Sequence, residues 1–200
     1  MKPCQGFMKM LCADAVDNYH QLFYNHGMDE KLKQSMADAI RDFHMPRYAE
    51  LPNVGLYLEQ TVKYINHSLE PLGYAKITGS MIRNYVKQDL VDNPKEKLYY
   101  ADQIAYLISI TILKQITSLD HIQCMFGRQR QVYSNQVAYD YFCNELENIL
   151  YYRFGLKEAM EDIGITDTVE KEMLRSAVTA VSHIIYMNIC LDRLDSDKEQ

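Results

Sequence analysis

Positive charge is in short supply in this 200-residue chain: 21 lysines and arginines stand against 27 aspartates and glutamates, for a formal net charge of −6 and a pI near 5.5. Such a chain does not coat nucleic acid non-specifically, so any contact with phosphates has to come from a local basic surface. Cysteine is sparse and scattered. Cys4, Cys12, Cys124, Cys143 and Cys190 contain no CxxC, and the odd count at wide spacing reads as reduced thiols, mostly core filler, in a cytosolic protein. The six histidines (His20, His26, His44, His67, His121, His183) show no ligand spacing, and Cys124 with Cys143 lacks a third ligand, so no metal is expected. No nucleophile–base pair, P-loop or paired-carboxylate motif stands out; neither an enzyme nor a cofactor is expected. The longest apolar run, Ile104 to Ile116, is broken by Ser109, Thr111, Lys114 and Gln115, which argues against a membrane span. No signal peptide is read, and the expected location is the cytoplasm.

What the chain does have is apolar content, 48% of its residues, enough for a sizeable core. Helical spacing dominates it. Met8 to Phe23 carries Met8, Leu11, Cys12, Ala15, Tyr19, Leu22 and Phe23 on one face, and Asn25-His26-Gly27 ends the pattern. Asp29 starts a second helix through Leu32, Met36, Ala39, Ile40 and Phe43. The Pro/Gly-bounded stretch Tyr48 to Gly55 is the best domain boundary. Leu56 to Leu69 predicts a third helix. Arg128-Gln129-Arg130-Gln131 reads as a polar hinge, and Val132 to Phe154 as a tyrosine-rich helix. Thr166 caps a long last helix, apolar on most sides from Ala177 to Leu194, as expected for a bundle or a dimer seam. The division is 1–45, an N-terminal helical segment; 46–130, a central domain; and 131–200, a C-terminal helical segment for dimerisation or sensing.

The central stretch is Thr78 to Ile122. Thr78 or Ser80 caps a short helix whose Met81, Ile82, Tyr85 and Val86 face a core, leaving Arg83, Asn84 and Lys87 outward. Asp89 suits the left-handed turn that often ends a helix. Leu90-Val91 and Leu98-Tyr99 then flank the turn-rich tip Asp92 to Glu96, as two short strand-like runs of a hairpin.

These residues carry a resemblance. Met81 to Val91 resembles the recognition helix of MerR-type transcriptional regulators, Lys97-Leu98-Tyr99 is similar to the motif closing that family's wing, and Ser118 to Ile122 looks like its next helix start. A closer resemblance, over about residues 46–126, is to a bacterial family known only as domain of unknown function 1836. It rests on Leu51-Pro52, Leu56-Tyr57-Leu58, the Thr78 to Lys87 run and the Tyr99 to Lys114 helix. Two departures stand out from the MerR pattern: Asp89 replaces a glycine, and the segment from Leu69 to Thr78 is longer than a helix-turn-helix turn.

The resemblance implies a mainly α fold: a MerR-like winged helix-turn-helix with a small β-hairpin wing, flanked by N- and C-terminal helices forming a bundle. It implies double-stranded DNA as partner, read by Ser80, Arg83, Asn84, Tyr85, Lys87, Lys95, Lys97 and Tyr99. Arg83 is suited to a guanine or phosphate, Asn84 to an adenine edge, Tyr85 to the backbone, and the lysines to phosphates. Between Thr78 and Tyr99, Arg83, Lys87, Lys95 and Lys97 exceed Asp89, Asp92 and Glu96 by a single charge. The function expected is a DNA-binding transcriptional regulator, homodimeric through its C-terminal helices. The alternative is a non-catalytic protein-interaction module that keeps the fold. The bland reading of Arg83 and Lys87 is an ordinary solvated helix face. The tyrosines Tyr133, Tyr139, Tyr141, Tyr151 and Tyr152 read better as core packing than as an effector pocket.

Overall fold

The computed structural model describes residues 28–73, 76–164 and 168–196. The expected helix from Met8 to Phe23, Cys4 and Cys12 lie outside them. Among the described residues the fold is mainly helical with one two-stranded antiparallel sheet. The order is α1 (Glu30–Ile40), β1 (Leu56–Tyr57), α2 (Leu58–Ser68), α3 (Gly79–Lys87), β2 (Leu98–Tyr99), α4 (Ala101–Leu113), α5 (Leu119–Val132), α6 (Asn135–Arg153) and α7 (Val169–Ser196). Single 3-10 turns occupy Tyr48–Glu50 and Glu70–Leu72.

Helix α4 is the spine. Every residue from Gln103 to Leu113 is buried. Its two hydroxyl residues need no solvent, because Ser109 donates to the Ala105 carbonyl (3.0 Å) and Thr111 to the Leu107 carbonyl (2.6 Å). Around it pack α2, α5, α6 and α7, while α1 lies on α7. Met36 and Ile40, Ile65, Ile82 and Tyr85, Phe142, Leu146 and Leu150, and Val178, Val181 and Ile185 all belong to one apolar cluster. Each fully buried aliphatic side chain contributes about 1.5–3 kcal/mol relative to exposure, before entropy opposes it. One core thus runs through all three segments.

Two ion pairs stitch the shell to α6. Arg47 donates from Nη1 to Glu147 Oε1 (2.8 Å) and from Nη2 to Oε2 (2.5 Å), and the Met45 amide adds a third bond to the same carboxylate at 2.7 Å. Arg175 of α7 donates to the buried Glu145 at 2.5 Å. Near-burial of both carboxylates makes these pairs costly to break singly.

Several expectations change. Leu56 and Tyr57 are strand, and the third helix begins at Leu58. The wing is not a hairpin of Leu90-Val91 with Leu98-Tyr99. Leu90 and Val91 are buried in the core, and β2 pairs instead with β1, in the register Leu56 with Tyr99 and Tyr57 with Leu98. Arg128 to Gln131 is no hinge but part of α5, and the break falls at Tyr133-Ser134, where the Ser134 hydroxyl accepts from the Val137 amide. The first turn of α7 is capped by Thr168, whose hydroxyl accepts from the Lys171 amide; Thr166 lies outside the described residues. Cys143 is buried, but Cys124 is exposed rather than core filler. On α7, Val178, Val181, Ile185 and Ile189 are buried, whereas Met187, Leu191 and Leu194 face outward. By length and composition alone, Val169–Asp195 holds a stretch apolar enough to cross a membrane, with a mean hydropathy of 1.3 over its most apolar 18 residues.

Candidate nucleic-acid interface

Helix α3 is held by side chains at its entry and by backbone bonds at its exit. At its entry the Asn66 amide pairs with Ile77 like a strand neighbour, donating to the carbonyl (3.0 Å) and accepting from the amide (2.8 Å). That bond pair closes the long connector from α2 and delivers Thr78 as the cap, its hydroxyl accepting from the Met81 amide at 3.3 Å. The start of α2 lies against the start of α3: a side chain on Gly79 would begin 3.3 Å from Leu58 Cδ2. At its exit, Asp89 adopts the left-handed conformation (φ 55°). The Leu90 amide then bonds the Tyr85 carbonyl and the Asp89 amide bonds the Val86 carbonyl, which is a Schellman ending with aspartate where glycine is usual.

Between these anchors, Ile82 and Tyr85 point into the core. Ser80, Arg83, Asn84 and Lys87 are exposed, and their three- and four-residue spacing puts them on one helix face. Arg83 Nη2 reaches Ser80 Oγ at 3.4 Å, and the Gln88 amide reaches Asn84 Oδ1 at 3.4 Å.

A tight turn leads into β2. Lys95 and Leu98 exchange both backbone bonds, at 3.0 and 2.8 Å, across Glu96 and Lys97, whose φ values are 52° and 68°. Two successive positive φ values match a type I′ turn, normally built with Asn-Gly. Glutamate and lysine hold it here at a cost of roughly 1–2 kcal/mol each. Supports for the turn come from two sides. Gln103, buried at the base, accepts from the Tyr100 amide (2.8 Å) and donates to the carbonyls of Asp92 and Asn93 (3.0 Å each). Gly55 lets the chain before β1 lie against β2, since a Cβ there would sit 2.7 Å from Leu98 Cβ and 2.9 Å from Tyr100 Cζ.

The eight residues singled out from sequence therefore divide. Ser80, Arg83, Asn84, Lys87, Lys95 and Lys97 are exposed on α3 and the turn. Tyr85 packs into the core as its spacing predicts, and Tyr99, expected among the DNA-contacting residues, is drawn into the core as well; at 3% and 4% exposure each occupies the inward position of its element. Burial pushes both phenols above their ordinary pKa, and the nearby Arg83 charge pulls Tyr99 partly back, so Arg83 lies close to the strand as well as to the helix. Arg83, Lys87, Lys95 and Lys97 have no carboxylate within 4.0 Å among the described residues. Asp89, Asp92 and Glu96 are exposed nearby, so the local excess of positive charge stays small.

Asn66, Gly55 and Gln103 were not singled out from sequence, although all three position the site. The clues were faint: a lone asparagine late in a helix, a glycine just before β1, and a glutamine at the third position of α4. Among the described residues no group of three His, Cys, Asp or Glu side chains is placed to hold a metal ion.

Residues 46–142 match the model of a family described as a domain of unknown function (DUF1836). No curated protein and no solved structure matches the chain.

Proposed function

We propose that this DUF1836 segment acts as a MerR-like winged helix-turn-helix, with α2 and α3 as the helix pair and the Lys95–Leu98 turn as a minimal wing, and that the protein is a bacterial transcriptional regulator binding operator DNA. The observation that carries the reading is the set of four cations, Arg83 and Lys87 on α3 with Lys95 and Lys97 on the turn, exposed and without a carboxylate partner among the described residues. In an acidic chain, free cations gathered on one helix face and its adjoining turn are the local footprint a duplex needs. Arg83 and Asn84 are the base readers, because a guanidinium and a carboxamide each bond a base edge bidentately. Lys87, Lys95 and Lys97 neutralise phosphates, and buried Tyr85 and Tyr99 hold the reading elements in place.

Fluorescence anisotropy on genomic fragments, including the protein's own promoter, tests the reading. Arg83→Ala should cost about 1–3 kcal/mol on the preferred site and relax its sequence preference. Lys95→Ala and Lys97→Ala should weaken all fragments alike and lower the salt slope by about one each. Equal, weak binding to every fragment, unchanged by Arg83→Ala, would overturn it.

A second reading has its own observation. Met187, Leu191 and Leu194 recur along one side of α7 and are 52%, 52% and 41% exposed. That stripe favours a protein-interaction module, or a homodimer seam that sets two reading helices about 34–36 Å apart. Sedimentation equilibrium separates these: a dimer broken by Leu191→Lys supports the seam, and a monomer at all concentrations removes it.

A further inference from the structure

We propose that the partly open pocket between α4, α5, α6 and α7 is a binding site for a small, neutral, largely aromatic molecule of about two fused rings. The cavity holds about 270 Å³, walled by Tyr106, Phe126, Tyr133, Tyr141, Phe142 and Leu174 among others. Close-packed interiors leave few voids larger than a water molecule, so an apolar space of this size is not ordinary packing slack. It exceeds the roughly 150 Å³ of an engineered cavity that takes up benzene. It falls just short of the roughly 300 Å³ where small-molecule pockets begin. One or two rings match that range.

The walls also select for charge. Lys171 is committed to Asp162 (3.4 Å) and to the Gly164 carbonyl (3.1 Å), and Glu170 to Arg128 (3.1 Å). The charged residues at the rim therefore satisfy one another, and a charged ligand would find no free counter-charge there. Ser109 is likewise spent on Ala105. Two hydroxyls of wall residues, those of Tyr139 and Tyr141, are buried without a hydrogen-bond partner, and Tyr141 is the one beside the charged rim. Burial and the nearby Glu145 push its pKa up to about 12, so it stays protonated and offers a donor. An acceptor oxygen or nitrogen on the ligand completes it. The site is independent of the DNA-binding reading, since none of its wall residues belongs to α3 or the tight turn.

The probe is 2-naphthol, added to the full chain. The protein contains no tryptophan, so excitation beyond tyrosine absorption reports the probe alone. Saturable one-to-one binding is expected. Tyr141→Phe keeps the ring and should weaken binding about 2- to 10-fold, one hydrogen bond's worth. Ala138→Phe, which fills the space from α6, should weaken it more than tenfold. Methyl NMR fixes the location without any variant: ring currents should shift Met125 and Met173, both on the wall, and leave the core residue Met45 unmoved. Non-saturable binding, or saturation with Met125 and Met173 unmoved, would overturn the proposal. So would equal affinity in an Ala138→Phe protein that melts like the parent. Should that variant fail to fold, the methyl shifts and Tyr141→Phe decide.

Discussion

Replacing Gln103 by leucine tests how the tight turn is held. The glutamine is 7% exposed and makes three hydrogen bonds, one from the Tyr100 amide and two to the Asp92 and Asn93 carbonyls. Leucine keeps most of the volume and removes all three. At about 0.5–1.5 kcal/mol net per bond, the loss spans roughly 1.5–4.5 kcal/mol. Asp92, Asn93 and Tyr100 lie at the surface, so their freed backbone groups regain water. The expected cost is therefore near the lower end, about 2 kcal/mol. Urea titration should show a lowered midpoint with an unchanged slope. Amide exchange at Lys95 and Leu98 should accelerate by about 30-fold, the same free energy read locally. On the proposed DNA-binding reading, affinity should fall through the turn lysines while the preference assigned to Arg83 persists. A leucine variant within about 0.5 kcal/mol of the parent, with both amides as protected as before, would refute the idea that this side chain pins the turn.

Three further outcomes follow from the same geometry. Gly55→Ala forces a methyl to within 2.7 Å of Leu98 Cβ; the melt should report about 1–3 kcal/mol of destabilisation, and an unchanged melting temperature would show that β2 yields freely. Asp89→Gly relieves the left-handed backbone and removes an exposed carboxylate beside α3, so stability should rise by about 1 kcal/mol and, on the proposed reading, DNA binding should tighten several-fold; a loss of stability would contradict the Schellman assignment. Burial raises the Cys143 thiol from 9.0 to about 12, and the phenols of Tyr48 and Tyr141 from 10.0 to about 12. Raised values mean that the folded state favours the protonated forms. Their contribution is thus complete below about pH 9 and fades as pH climbs towards 12. Chemical denaturation at about pH 8 and about pH 10.5 should differ by roughly 2 kcal/mol from Cys143 alone, and Cys143→Ala should remove that share while the part due to the phenols persists.

The helices were legible because their signals are local. Asp29 and Thr78 cap the helices they were expected to cap, Asp89 takes the left-handed turn, and Ile82 and Tyr85 recur at the core spacing. The wing was misread because its partner strand is remote. Leu90-Val91 has the same apolar character as a strand, and only the approach of Leu56-Tyr57, more than thirty residues earlier, decides what pairs with Leu98-Tyr99. The turn at Glu96-Lys97 has no glycine or asparagine to announce it; the pairing around it imposes the backbone. Tyr99 illustrates the limit at the site itself. A motif marks it as important, but whether its ring lies at the surface or supports its neighbours from below depends on depth, which only the packed structure defines. The cavity was harder still, since space left among α4, α5, α6 and α7 is a property of how four helices meet rather than of any one of them.

The burial of Gln103 to Leu113 on every side of α4 bears on where such a domain can be divided. The stretch matching DUF1836 stops at residue 142, inside α6, and so contains none of α7. Cut out at that boundary, the spine would lie bare where Val178, Val181 and Ile185 now cover it. A working excision of this segment would therefore have to extend through α7.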